Sequence, residues 1–241
     1  MLVLAGSREQ VRKMLEEMAE MFKQKIPPDF AFCVNLEVST SEHDGAAYCY
    51  HVVCGSQNAE LGDGKAHNAL LTLTLDTHTL ANLASGKWSG LTAAGRARAR
   101  DSAPLDFVLP EGVDASQVMP TAIFFLTHFF NRHNPTRFKF GPEHVRKVHG
   151  AGAAVLFYAP GLRSAYYAVF PEDRANADMA TDPFFQAFIV IGGEGRATIG
   201  QNTFPVSKGD VLYIPPDHIH ILETDGPEPL EVIWLAWGAK A

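Results

Sequence analysis

From Gly150 to the carboxy terminus, a turn signal interrupts the chain every few residues: "APG", "GGEG", "GQN", "KGD", "PPD" and "DGPEP" follow one another. Segments this short favour strands over helices, which need about three turns to be worth forming. The apolar runs between the turns predict strands over Ala153–Tyr158, Ala165–Phe170, Phe185–Ile191, Arg196–Ile199, Val211–Ile214, His218–Glu223 and Glu231–Ala236. Seven short strands with regular turns describe an all-β sandwich or barrel over 151–241.

The other half has a different texture. Ser7 and Gln10 have capping-box spacing, and Val11, Met14, Leu15, Met18, Met21 and Phe22 recur at three and four residues. That is an amphipathic helix, which "KIPPDF" ends because proline cannot continue it. Strand-like runs follow at Phe30–Val38, Ala46–Cys54, Gln57–Leu61 and Leu70–Leu75, separated by "SEHDG" and "GDGK"; an antiparallel meander is the simplest topology. "LDTHTLANLASGKWSG" reads as a short helix capped by Asp76 or Thr77 and closed at Gly86, and "LTAAGRARARD" as a helical turn running into a strand. A last helix carries Pro120 in its first turn, and its residues Ile123, Phe124, Phe125, Leu126, Phe129 and Phe130 cover more than half its circumference. A helix so apolar is buried on more than one side. Residues 134–152 are basic and weakly periodic. The expected organisation is therefore α+β: an amino-terminal layer of antiparallel sheet and helices over 1–135, a linker over 136–150, and the β-barrel over 151–241.

Composition narrows the function. With 27 acidic against 20 basic residues the net charge is −7, which disfavours nucleic acid unless the basic residues cluster. The runs "GRARAR", "RFKF" and "HVRKVH" come nearest; the first reads as a strand with one solvated face. No segment approaches the roughly 20 apolar residues of a membrane span, and the amino terminus lacks the basic region of a signal peptide. Three cysteines, Cys33, Cys49 and Cys54, without C-x-x-C spacing fit a reducing cytoplasm and inert thiols. There is no G-x-S-x-G, no P-loop and no G-x-G-x-x-G after a strand. The pairs His128 with His133 and His144 with His149 lack the spacing of two ligands on one helix face and read as solvated surface.

The carboxy-terminal third resembles the cupin family through "GGEG" at 192–195 and "GDVLYIPPDHIH" at 209–220. The family's second motif maps onto Gly209, Asp210, Pro215 and His220. The resemblance implies a jelly-roll barrel, often metal-bearing, and a homodimer. The metal is not expected here. The family's glutamate falls on Gln186, and its two histidines fall in "DMATDPF", which has none. His220 remains as a ligand, with His218 two residues ahead of it as the further candidate. Phe184, Gln186, Phe188, His218 and His220 then become candidates for a small-molecule site on inward strand faces.

Residues 8–131 resemble the sterol carrier protein 2 family in the order of elements. Leu71–Leu75, Thr77–Ala84, Ser85-Gly86-Lys87, Leu91–Ala94, Gly95–Arg100 and the helix Ala122–Phe130 match its strand, capped helix, turn, further turn, strand and closing helix. "DSAPLDFVLPEGVDASQV" reads as an insertion. The resemblance implies an apolar tunnel for fatty acyl chains or sterols, lined here by Met14, Met18, Met21, Phe22, Phe124, Phe125 and Phe129. The expectation is non-enzymatic carriage of a hydrophobic ligand, with no cofactor, no nucleic acid and room for transient membrane contact. The alternative is a cupin enzyme or small-molecule sensor acting through the barrel.

Overall fold

The computed structural model describes residues 7–40, 47–98 and 100–241. The turn "SEHDG", the first six residues and Ala99 within the arginine run lie outside the described residues. The chain divides into two compact units. The first takes the residues up to Ala94 with Ser102–Lys139, and the second takes Gly95–Asp101 with Phe140–Ala241.

The first unit begins with α1 (Arg8–Lys23), whose capping box forms as expected: Ser7 Oγ accepts from the Gln10 amide and the Gln10 side chain accepts from the Ser7 amide. Val11, Leu15, Met18, Ala19 and Phe22 are its buried stripe. Five strands form one sheet: β1 (Phe32–Ser39), β2 (Ala47–Gly55), β3 (Asn58–Asp63), β4 (Leu71–Asp76) and β5 (Leu105–Val108), in the order β3-β2-β1-β4-β5. The first three make the expected meander, but β4 lies on the far side of β1 and runs parallel to it. A longer connection makes this crossover. It passes over the β1–β2 face, where Asn35 holds both polar groups of Ala66: its Nδ2 donates to the carbonyl at 3.2 Å and its Oδ1 accepts from the amide at 2.8 Å. Lys65 pairs with Glu37 at 2.7 Å, and the His51 ring meets the Gly64 carbonyl.

After α2 (Thr77–Ala84), capped by Asp76, and α3 (Gly90–Ala94), two expectations fail. The described residues of the arginine run are not a strand. Asp101 folds the run into a turn by accepting from the Arg98 amide at 2.9 Å, so no ladder can form there. The fifth strand comes instead from the segment read as an insertion, as β5 pairs antiparallel with β4. The last helix, α4 (Ala115–His128), starts five residues before Pro120, where Asp114 accepts from the Ser116 amide. The capping aspartate sets this boundary and the proline is carried inside the helix. Its far end is closed by Lys25, whose ammonium donates to the His128 and Asn131 carbonyls. Burial pushes that ammonium down to about 8.

The second unit is all-β. Residues 136–150, read above as a linker, contain a 3-10 turn (Pro142–His144) and β6 (Arg146–Val148). Then come β7 (Ala151–Ala159), β8 (Leu162–Val169), β9 (Phe185–Gly192), β10 (Glu194–Ile199), β11 (Asn202–Ser207), β12 (Val211–Ile214), β13 (His220–Thr224) and β14 (Leu230–Trp237). They form a six-stranded sheet, β12-β9-β14-β8-β7-β6, and a three-stranded one, β11-β10-β13. Two of these strands are unforeseen from sequence, β6 within the expected linker and β11. Pro205 argues against a strand within "NTFPVS", yet β11 sits at a sheet edge, where a missing N–H is tolerated. Gly193 turns β9 into β10 at φ +71°, where a Cβ would lie 2.3 Å from the Pro229 carbonyl oxygen. The inner faces meet in one core: Phe188, Val190, Leu212 and Val232 from the large sheet against Ala197, Val206 and Leu222 from the small one.

Candidate functional site

Strand alternation decides what enters the barrel. On β9, Gln186, Phe188 and Val190 point inward, and register places them beside Ala236, Trp234 and Val232 of β14. Tyr167 of β8 pairs with Val232 and shares that face. His220 opens β13 on the facing sheet, with its ring 5.9 Å from that of Phe188. Of the five barrel residues proposed from sequence, these geometries bring Gln186, Phe188 and His220 together. His218 is exposed ahead of β13, where its ring meets the Pro216 carbonyl and its own carbonyl accepts from His220 Nδ1 at 3.2 Å. Phe184 precedes β9 and packs with Ala236 and Ala241 beneath the Arg163 guanidinium.

Gln186 is the fixed point. It is 1 % exposed, its Oε1 accepts from the Trp234 indole at 2.7 Å, and its Nε2 donates to Asp182 Oδ2 at 3.1 Å. Asp182 is therefore held by a side chain that sequence reasoning named, although Asp182 itself went unnoticed. So did Tyr167 and Trp234, the other polar members. The backbone around Asp182 is also anchored. Its carbonyl accepts from the Asp217 amide at 2.7 Å. Upstream, the buried Asn176 side chain bonds the Ala180 amide, the Ala180 carbonyl and the His220 carbonyl, tying this loop to β13.

The electrostatics follow from burial and one carboxylate. Burial lowers the His220 pKa, as does His149 to a lesser degree, against the hydrogen bond to His218 and the Asp182 charge. The ring is then neutral near pH 7. With Nδ1–H donating to a carbonyl, Nε2 is the acceptor. Burial, and after it the Asp182 charge, pushes the Tyr167 hydroxyl up to about 12, so it stays protonated. Tyr167 hydroxyl, His220 Nε2 and Asp182 Oδ1 have no hydrogen-bond partner among the described residues. Three polar atoms of different character thus share one aromatic-walled end of the barrel.

A divalent metal does not fit this donor set. His220 supplies one imidazole and Asp182 one carboxylate, while both ends of the Gln186 amide are engaged. Among the described residues no three of His, Cys, Asp and Glu gather as ligands. Beside the barrel, a cleft of about 240 Å³ is lined by Arg98, Asp101, His149 and Asp178. Asp178 receives Arg98 and, at 3.5 Å, His149 Nδ1. His144 and His149, read from sequence as surface residues, are only 17 and 18 % exposed in their side chains.

With this geometry in place, the barrel can be set against known proteins. The sequence profile described as "Cupin domain" matches residues 175–236. Those residues form a cupin domain. The span contains Asp182, Gln186, His220 and Trp234, and the β-rich carboxy-terminal region is of cupin type. Two curated proteins match locally. Mannose-1-phosphate guanylyltransferase RfbM of Salmonella typhimurium is 41% identical over 51 residues, 21% of this chain and 11% of that protein. The uncharacterized protein MJ1618 of Methanocaldococcus jannaschii is 33% identical over 52 residues, 22% of this chain and 42% of that one. The chain therefore spans less than half the length of either. Among solved structures, the plu4264 protein of Photorhabdus luminescens aligns at a TM-score of 0.38 and 23% identity over 42% of this chain and 87% of its own. A cupin 2 conserved barrel domain protein of Salinispora arenicola aligns at 0.37 and 18% over 43% and 92%.

The residues expected to line a tunnel lie in the first unit. Met18, Phe22, Phe125 and Phe129 are 0 % exposed. Their rings meet one another: Phe125 stacks on Phe129 at 4.4 Å, and Phe22 meets both edge-on at 5.4 and 5.7 Å. Met14, Met21 and Phe124 are partly exposed, and Phe124 lies 4.3 Å from the ring of His128, a half-buried residue whose Nδ1 meets Thr136.

Proposed function

We propose that the carboxy-terminal barrel binds a small, uncharged, hydroxyl-rich molecule, and that binding is its task. The observation that carries this is the convergence of Asp182, Tyr167 and His220 with unspent hydrogen-bonding atoms beside Trp234 and Phe188. These atoms are reached by solvent and engaged by no protein group among the described residues, so a ligand with matching hydroxyls can take the place of water there. A ligand hydroxyl can donate to Asp182 or to His220 Nε2, and an acceptor oxygen can take the Tyr167 proton. An anion would meet the Asp182 charge at close range, where like charges repel by several kcal/mol. The local match to a protein named for a mannose phosphate puts sugars first among trial ligands. Titration calorimetry with neutral sugars and polyols, then with their phosphates and acids, tests the reading. Binding of a neutral compound that Asp182→Asn and Tyr167→Phe each weaken at least tenfold supports it. Tight binding of anions alone, or indifference to both substitutions, refutes it.

A second reading assigns carriage of a fatty acyl or sterol-like ligand to the first unit. The partial exposure of Met14, Met21 and Phe124 in that unit favours this, with the Phe124 ring 6.0 Å from that of Phe22. Entry then requires the Phe22, Phe125 and Phe129 rings to part, because they fill the space between them. Native mass spectrometry of the purified protein, followed by an organic extract, separates the two readings. A stoichiometric lipid mass supports the carrier, and a clean protein mass with the first unit folded counts against it.

A further inference from the structure

In the first unit, the edge strand β3 holds a row of backbone groups outward beside a helix. It is the outermost strand of its sheet and pairs with β2 alone among the described residues. In an antiparallel ladder, alternate residues turn their amide and carbonyl toward the neighbour and the others turn them away. Two contacts fix which is which. Just past the strand the Gly64 amide donates to the Cys49 carbonyl at 2.9 Å, so Gly62 and Glu60, at the same phase, face β2. The Ala59 amide donates instead to the Asn58 side chain at 3.0 Å, so Ala59, Leu61 and Asp63 face outward. The Leu61 and Asp63 amides meet no partner among the described residues. The strand has neither the proline nor the bulge that closes many sheet edges.

This row opens on a groove of about 360 Å³. Ala59, Glu60 and Leu61 form one wall, and α1 forms the other with Glu16, Ala19, Glu20 and Lys23. The helical residues follow the first by three, four and seven positions, so they share one face. Ala19 and Ala59 are small and buried, which lets a backbone come close. Glu16 and Glu20 keep their carboxylates half or more in solvent, paired along the helix with Arg12 and Lys23. Three carboxylates against one ammonium line the groove, an excess of two negative charges on a chain that carries −7.

We propose that the groove takes an extended, basic segment of a partner polypeptide as a sixth strand on β3. The outward row names the class of partner, because the backbone of another extended chain matches it group for group. Carbonyls of the added segment accept from the Leu61 and Asp63 amides. Its side chains on the α1 side recur every second residue and reach Glu16 and Glu20. A second copy of β3 would set Glu60 against like charge, and a nucleic acid would meet its own sign in the groove.

Fluorescence anisotropy on the full chain tests this with a labelled hexapeptide of alternating lysine and valine. The peptide should bind, and its glutamate–valine counterpart should bind at least tenfold more weakly. Of two versions N-methylated at every lysine or at every valine, the one that blocks the edge facing β3 should also lose at least tenfold. Glu16→Gln with Glu20→Gln should weaken binding at least fivefold, while Glu111→Lys, an equal change of charge at an exposed turn, should not. Amide exchange by NMR on the unmodified protein reads the pairing itself: the Leu61 and Asp63 amides should slow at least tenfold in saturating peptide. No binding with protein at about 200 µM overturns the proposal. So does binding that ignores both methylation patterns or the paired substitution, or exchange at Leu61 and Asp63 that the bound peptide leaves unchanged.

Discussion

Replacing Gln186 by Leu probes the barrel site at the residue that organises it. Leucine keeps nearly the same volume, so the cavity contribution is small. What is lost is the acceptor for the Trp234 indole at 2.7 Å and the donor to Asp182 at 3.1 Å. A neutral hydrogen bond contributes about 1 kcal/mol, one to a charged group about 1.5–3 kcal/mol, and an N–H left buried without a partner costs about 1–3 kcal/mol. These effects share atoms and overlap, so the expected loss is about 3 kcal/mol. For a unit of about 100 residues that lowers Tm by roughly 10–20 °C. The assay is urea unfolding followed by tryptophan fluorescence in a Trp88→Phe background, in which Trp234 and Trp237 report on the barrel alone. The midpoint should fall with the slope unchanged. Gln186→Glu supplies the informative contrast. Its carboxyl still accepts from Trp234, but it lies beside Asp182 in a buried place, so its folded pKa rises above the ordinary 4.3 or so. The folded state then holds a proton that the unfolded chain releases, and stability declines as pH rises above that value. A Leu variant within about 0.5 kcal/mol of the parent, or a Glu variant with no pH slope of its own, would refute the network as the support of the site.

Three further outcomes follow from the same geometry. Because burial depresses the His220 pKa below its ordinary 6.5, the unfolded chain binds the proton more tightly; barrel stability should fall as pH drops through 6.5, and His220→Gln should flatten that slope in denaturation curves compared at pH 7.5 and 5.5. Phe125→Ala should cost about 3–5 kcal/mol in the first unit, read by urea unfolding through Trp88, because the ring is 0 % exposed and stacked on Phe129; a cost below about 1 kcal/mol would show that the cluster is loose enough to admit a ligand. Gly193→Ala should destabilise the barrel by at least about 2 kcal/mol in a thermal melt, since its φ of +71° is strained for alanine and the new Cβ would lie 2.3 Å from the Pro229 carbonyl.

What could be read from sequence depended on whether the signal was local. The capping box at Ser7, the strand Val211–Ile214 and the inward alternation of Gln186, Phe188 and Val190 need only near neighbours, and they form as the pattern says. The parallel placement of β4 beside β1 depends on Asn35 gripping a loop 31 residues away, which no period in the sequence encodes. Pro120 marked a plausible helix start, but Asp114 captured the first turn five residues earlier, and the segment taken for an insertion supplied the edge strand β5. The candidate site divides in the same way. His220 and Gln186 were legible through a motif and its missing partners. Asp182 was not, because it lies in a loop with no strand period and matters only through what Gln186 and Asn176 do to hold it. One signal could have found Tyr167 and Trp234: each alternates into the barrel face on its own strand, at positions where a polar tip is unusual in an otherwise aliphatic row. The apolar outer face of the six-stranded sheet is written in the same strands. Phe185, Tyr213, Leu235 and Trp237 occupy the outward positions of their strands, where a sheet facing water usually carries polar residues.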